Sequence, residues 1–204
     1  MLDNKGFDLW ANGYDISVGR ADEDDEYPFA GYKDVLNTIY SKVLERGGGR
    51  VLDIGFGTGT LTWKLYEAGC EIWGQDFSEV MLRIARERMP DAHFFVGDFS
   101  LKLVPELRER KYDAIIATYS LHHLSDEAKP EFINSLLPLL SEHGRIYVGD
   151  VAFPTREALE RCREDAGEEW DDEEFYFVYE EVKRSFPRCR YRQLSHCAGV
   201  FEFR

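Results

Sequence analysis

Three glycines, Gly55, Gly57 and Gly59, occupy alternate positions directly after the apolar run Val51-Leu52-Asp53-Ile54. Glycines between a strand and a helix let backbone approach a ligand closely and aim free N–H groups at it. A dinucleotide fingerprint would need its last glycine, or an alanine, at position 60, and Thr60 stands there instead. Asp53 lies just before the glycines, at the carboxyl end of the first strand. A carboxylate there repels a pyrophosphate and suits an ammonium or other cationic group. Asp76 follows the second apolar run, 23 residues after Asp53, where an acid can accept hydrogen bonds from ribose hydroxyls. Together these residues ask for a nucleoside whose tail is cationic rather than phosphorylated. His122 and His123 invite a metal or general-base reading. Adjacent residues point in different directions, however, and no third ligand sits at a usable spacing, so no metal is expected.

The elements that must hold these groups alternate. Apolar residues at helical spacing over 32–45 predict a helix that Gly47-Gly48-Gly49 stops. Strands follow at 50–54, 70–75, 93–96, 112–117 and 145–151. The first helix between them runs through Leu61, Leu65 and Ala68, and Ser78 caps the next, which Pro90 ends. A further helix carries Phe132, Ile133, Leu136, Leu137 and Leu140 on one face, with Pro138 distorting its last turn. Apolar rather than alternating strands, separated by helices, predict a parallel sheet covered on both faces: an α/β, doubly wound domain. Tyr191–His196 and Gly199–Phe203 are joined too tightly for a crossover helix, so the last strand should be antiparallel.

Composition narrows the partners. The 204 residues carry 25 Lys and Arg against 39 Asp and Glu, a net charge of −14. That balance disfavours nucleic acid and anionic membrane surfaces, which draw on clustered cations. Cys70, Cys162, Cys189 and Cys197 form no CxxC pair and read as reduced thiols of a cytoplasmic protein. The first ten residues lack a signal pattern, and no apolar run approaches the ~18 residues of a membrane span. No repeat or low-complexity linker divides the chain, so a single domain is expected. Residues 164–181 hold ten acids and no Lys or Arg, while 183–192 hold five bases and no acid; the two runs read as a solvated helix pair, with a site for a basic substrate as the alternative.

On these residues the chain resembles the class I S-adenosylmethionine-dependent methyltransferases. Asp53 with Gly55-Phe56-Gly57-Thr58-Gly59 is similar to that family's first motif, and Asp76-Phe77-Ser78 with Met81 to its second. Gly97-Asp98-Phe99 resembles the third. Tyr112–Ala117 leading into Thr118-Tyr119-Ser120-Leu121-His122-His123-Leu124 resembles the fourth strand and the loop over the methyl donor. Gly144-Arg145-Ile146-Tyr147 matches the turn into the fifth strand.

The resemblance implies a Rossmann-like seven-stranded sheet in the order 3-2-1-4-5-7-6, with strand 7 antiparallel. It implies S-adenosylmethionine as cofactor, held by Asp53, Gly55, Gly57, Gly59, Asp76, Phe77, Met81, Gly97, Asp98, Phe99 and Thr118. In that reading Asp76 holds the ribose, Phe77 packs on the adenine and Asp98 accepts from the adenine amino group. The histidine pair becomes a common loop element of the family. Residues 1–30, with Phe7, Trp10 and Tyr14, resemble the aromatic cap of members that act on small molecules, over a core of 31–204. Tyr14, Tyr119, His123 and His196 are the residues proposed to face a small-molecule acceptor. No residue is assigned to bond chemistry, since transfer from a sulfonium asks mainly for binding and alignment. The alternatives are a non-catalytic S-adenosylmethionine-binding regulatory or scaffold protein, and a nicotinamide-dependent reductase, which Thr60 and Asp53 oppose. Each of these residues also has a plain structural reading: the glycines a tight turn, Asp76 a helix-entry acid, Asp98 a cap, Met81 core.

Overall fold

A computed structural model describes residues 26–204. Tyr14, Phe7 and Trp10 of the expected cap lie outside the described residues. Its last part does not: Tyr27 stacks on Trp170 with ring centroids 5.2 Å apart, Phe29 meets Tyr119, and Ala30 is fully buried.

Helix α1 (Tyr32–Glu45) buries Val35, Ile39 and Val43 on one stripe. It ends where Gly47, Gly48 and Gly49 all take positive φ, the left-handed region that glycine enters without a Cβ clash. The chain then winds through β1 (Arg50–Ile54), α2 (Thr60–Glu67), β2 (Glu71–Asp76), α3 (Glu79–Arg88), β3 (His93–Val96), α4 (Pro105–Arg108), β4 (Tyr112–Thr118), α5 (Ala128–Leu136) and β5 (Leu140–Phe153). After α6 (Arg156–Ala166) come β6 (Phe177–Val178), α7 (Tyr179–Ser185), β7 (Arg190–Gln193) and β8 (Ala198–Phe203). Ser78 caps α3, its hydroxyl accepting from Met81 N, and Thr155 caps α6 in the same way.

The sheet runs β3-β2-β1-β4-β5-β8-β7, parallel except for β8, which pairs antiparallel with both neighbours. That is the expected order. The two-residue β6, bonded to the end of β5, is an addition that its length hid from the sequence. Successive residues of a strand face opposite sides, so Val51 and Ile72 join α1, α2 and α3 in one core while Leu52, Ile54 and Ile115 join the other. Both faces are therefore sealed, and each large apolar side chain so buried contributes ~1.5–3 kcal/mol.

Two expectations change. Leu140 is not on the helix: α5 stops at Leu136, Pro138 sits in a tight turn over Leu137–Leu139, and Leu140 pairs with Tyr112 at the head of β5. Proline lacks the N–H that the next helical turn needs. The acidic run is not a solvated helix pair either. It leaves α6 at Ala166, and Trp170 and Tyr176 drop into the body beside Tyr27. The basic residues gather at the edge far from the strand tips, where Arg46, Arg145, Arg188, Arg190 and Arg204 surround Glu202.

Candidate active site

The carboxyl ends of β1, β2 and β4 meet at one cleft. Such a crevice outside the strand tips is where open α/β sheets bind ligands. Asp53, Gly55, Gly57, Asp76, Phe77, Met81, Phe99, Thr118, Tyr119 and His123 all line it.

The glycines divide the work. A Cβ on Gly55 (φ +69) would stand 2.6 Å from Ser120 Cβ, so this glycine lets the first turn press against the loop after β4. Ser120 locks that contact by donating to Ile54 O at 2.8 Å. Gly59 (φ +76) starts α2, and a Cβ there would meet Met89 at 2.8 Å. Gly57 (φ +54) is different: no described residue lies within 4 Å of where its Cβ would be. That open space is where a ligand would come against backbone.

Asp76 fixes this loop. Its Oδ2 accepts from Gly57 N at 2.9 Å and its Oδ1 from Ser78 N at 2.9 Å. Each carboxylate oxygen has a second lone pair, so both can also take a hydroxyl hydrogen from the cleft. Asp53 is 1% exposed. Thr62 donates to its Oδ2, whereas Oδ1 is buried with no hydrogen-bond partner. Burial raises the Asp53 carboxyl to about 7, with the nearby Asp76 charge adding to the rise and Thr62 working against it. A buried, half-satisfied carboxylate beside a second one is a standing demand for a cation.

Gln75, fully buried at the end of β2, staples the next wall. Its amide donates to Lys102 O at 3.1 Å and accepts from Val104 N at 2.8 Å, which holds the segment that carries Phe99. Asp98 itself is exposed, outside the cleft lining, and accepts from Ser100 N and Oγ at 2.8 and 2.6 Å. Those two bonds cap the turn after β3. Gly97 packs on Gln75, also outside the lining. His196 is exposed in the turn between β7 and β8 and does not reach the cleft.

Tyr119 is the one non-glycine residue among those described with positive φ, at +48°. Left-handed backbone at a bulky residue is costly and collects at functional sites. It turns the chain so that its ring meets Tyr32 (5.1 Å) and the following short helical turn, Leu121–His123, faces the cleft. His123 is held neutral, its pKa lowered to about 4 by burial and by the neighbouring His122.

Behind His123 lies a group that spacing did not reveal. His122 Nδ1 is 2.6 Å from Asp150 Oδ1, both buried. Burial alone would lower His122, but Asp150 overrides it and the imidazole pKa is raised. Phe175 N donates to His122 O at 2.8 Å, and this bond carries Glu174 to within 3.4 Å of His122 Nε2. Burial raises the Glu174 carboxyl. Asp150 had a sequence signal, a charge inside the apolar strand Tyr147–Ala152; Glu174 had none, being one of ten acids in its run. Tyr32, Thr60, Thr62 and Ser120 of the cleft were equally silent.

These features fit a nucleoside with a cationic tail, and the comparisons agree. A family model described as a methyltransferase domain matches residues 51–144. An uncharacterized methyltransferase of Geobacillus sp. is 42% identical over 163 residues, 79% of this chain and 73% of the relative. Another, from Alkaliphilus oremlandii, is 32% identical over 202 residues, 97% and 86% of the two chains. The chain belongs to the class I S-adenosylmethionine-dependent methyltransferases. Among solved structures the DhpI–SAM–HEP complex superposes with a TM-score of 0.69 at 18% identity, over 97% of this chain and 94% of that one. Magnesium protoporphyrin IX methyltransferase from Synechocystis, with SAH bound, gives 0.69 at 19% identity over 98% of each. At such identity these show the fold. No helix among the described residues of this methyltransferase is long and apolar enough to cross a membrane.

Proposed function

We propose that this methyltransferase moves the methyl group to a small-molecule acceptor that enters beside Tyr119 and His123. The observation that carries the reading is the pairing of Asp53, with its unpartnered Oδ1, and Asp76 at the tips of adjacent strands, both lining one cleft with Gly57, Tyr119 and His123. When bound, S-adenosylmethionine supplies an activated methyl carbon and its own leaving group.

The chain's residues then bind, align and exclude water. Asp76 accepts from the ribose hydroxyls while its bonds to Gly57 N and Ser78 N keep it in place. Phe77, Met81 and Phe99 supply apolar surface for the purine. Asp53 Oδ1 faces the ammonium end, held from behind by Thr62. Tyr32, Tyr119 and His123 narrow the remaining mouth, which favours a compact acceptor over a protein side chain presented on a surface. His123, neutral near pH 7, presents an uncharged imidazole to the acceptor.

Labelled cofactor incubated with the protein and a metabolite extract, followed by mass spectrometry, tests the proposal. Label should appear in a small molecule. Label found only in protein or nucleic acid overturns the acceptor class, and binding without transfer to any acceptor leaves a cofactor-binding regulatory protein.

A further inference from the structure

The group behind His123 has the makings of a metal centre. His122, His123 and Glu174 each offer a ligand atom, and the three atoms lie within 4.8 Å of one another. The distance between His122 Nε2 and Glu174 Oε1 is informative. At 3.4 Å it is long for a charge-assisted hydrogen bond, which closes to ~2.7–2.9 Å. Two ligands ~2.0–2.2 Å from one tetrahedral ion, by contrast, stand about 3.4 Å apart.

The supporting groups are also in place. A metal-binding histidine typically gives its other ring nitrogen to a carboxylate, which fixes tautomer and orientation. Asp150, fully buried, does this for His122 at 2.6 Å and leaves Nε2 to point toward Glu174. Glu174 is in turn hydrogen-bonded by Tyr176. The loop that carries Glu174 is anchored at the next residue, by Phe175 N on His122 O and by Lys129 Nζ on Phe175 O. Side chains 51 residues apart in sequence are thus held in one constellation by buried bonds. Two histidines and one carboxylate leave a fourth position open, as in catalytic rather than structural zinc sites. His123 also lines the methyl-donor cleft, which places the group at the edge of that site.

We propose that His122, His123 and Glu174 bind one divalent transition-metal ion of zinc type, with Asp150 and Tyr176 positioning the ligands. The binding stands by itself; the role that follows rests on the methyl-transfer reading above. An acceptor hydroxyl or thiol taking the open position would release its proton to solvent and keep its lone pair on the oxygen or sulfur. That lone pair forms the new bond to the methyl carbon. The old carbon–sulfur bond breaks with its electrons left on sulfur, giving methylated acceptor, S-adenosylhomocysteine and one proton.

The test uses the full chain, stripped with chelator and titrated with Co(II), whose d–d absorption reports ligand number, and with Zn(II) in competition. One equivalent should bind, with an intense visible band of tetrahedral type that Zn(II) abolishes. Glu174→Gln should weaken binding at least tenfold, and Asp150→Asn, which touches no metal, should weaken it ~10–100-fold. Calorimetric binding of S-adenosylhomocysteine by Glu174→Gln should match the parent, which shows the variant folded and tests the cofactor site separately. Absence of stoichiometric binding to the parent protein overturns the metal site, as does binding that survives Glu174→Gln unchanged.

Discussion

Replacing Asp53 with Asn removes one charge and little else. The amide oxygen can still accept from Thr62 Oγ1, as Asp53 Oδ2 does, and the volume hardly changes. In the parent protein the carboxyl is raised from 3.8 to about 7, first by burial and then by Asp76. The folded state therefore binds this proton more tightly than the unfolded chain, and stability falls as pH rises from about 4 to about 7. Three pKa units correspond to about 4 kcal/mol, an upper figure for the cost of ionising Asp53 without a cation. Asn carries no such cost. Urea unfolding without ligand should find Asp53→Asn more stable than the parent at pH 7.5, by up to about 4 kcal/mol, and equal to it at pH 4.

Ligand binding should show the opposite preference. If Asp53 must ionise to hold the ammonium, parent affinity for S-adenosylmethionine should rise about tenfold per pH unit between pH 5 and 7 and then level. The ligand's own amino group stays protonated over that range, its pKa being ~7.7–8.0. Asp53→Asn should bind weakly at every pH, with no slope. Calorimetry at pH 5, 6 and 7 reads both lines. A flat parent profile would refute the reasoning because no ionisation would then accompany binding, and the same slope in the variant would refute it because a group other than Asp53 would then titrate.

Three further outcomes are expected. Asp76→Asn puts an amide donor opposite Gly57 N or Ser78 N, both 2.9 Å away; with one charge-assisted bond to the ribose also lost (~1.5–3 kcal/mol), the Kd for S-adenosylhomocysteine should rise at least tenfold by calorimetry, and an unchanged value would place the ribose elsewhere. Gln75→Leu keeps the volume but strands Val104 N and Lys102 O, so urea unfolding should show a loss of roughly 2–3 kcal/mol, with weaker cofactor binding as Phe99 loses its support. Gly55→Ala sets a Cβ 2.6 Å from Ser120 Cβ at φ +69; cofactor affinity should fall while Gly57→Ala, with open space around it, disturbs the unliganded fold far less in a thermal melt.

Much of the fold was legible because it rests on local rules. Glycines 47–49 end α1, Ser78 caps α3, and apolar strands separated by helices admit few arrangements other than a doubly wound sheet. The short link between β7 and β8 forced the antiparallel strand. Asp53, Gly57 and Asp76 were readable for the same reason: each sits at a fixed offset from a strand end, and strand ends converge on one cleft. Asp98 and His196 carried the right chemistry at plausible positions, yet nothing local told whether they border the cleft, and both are exposed outside its lining. Glu174 shows the limit most clearly. The three residues before it are acids like itself, and only a backbone bond from Phe175 to His122 singles it out by bringing it to that imidazole. Such a choice depends on how a long connection packs across the end of a finished sheet. Spacing along the chain holds no record of it, because the contact is made between elements that share no periodicity, cap or turn.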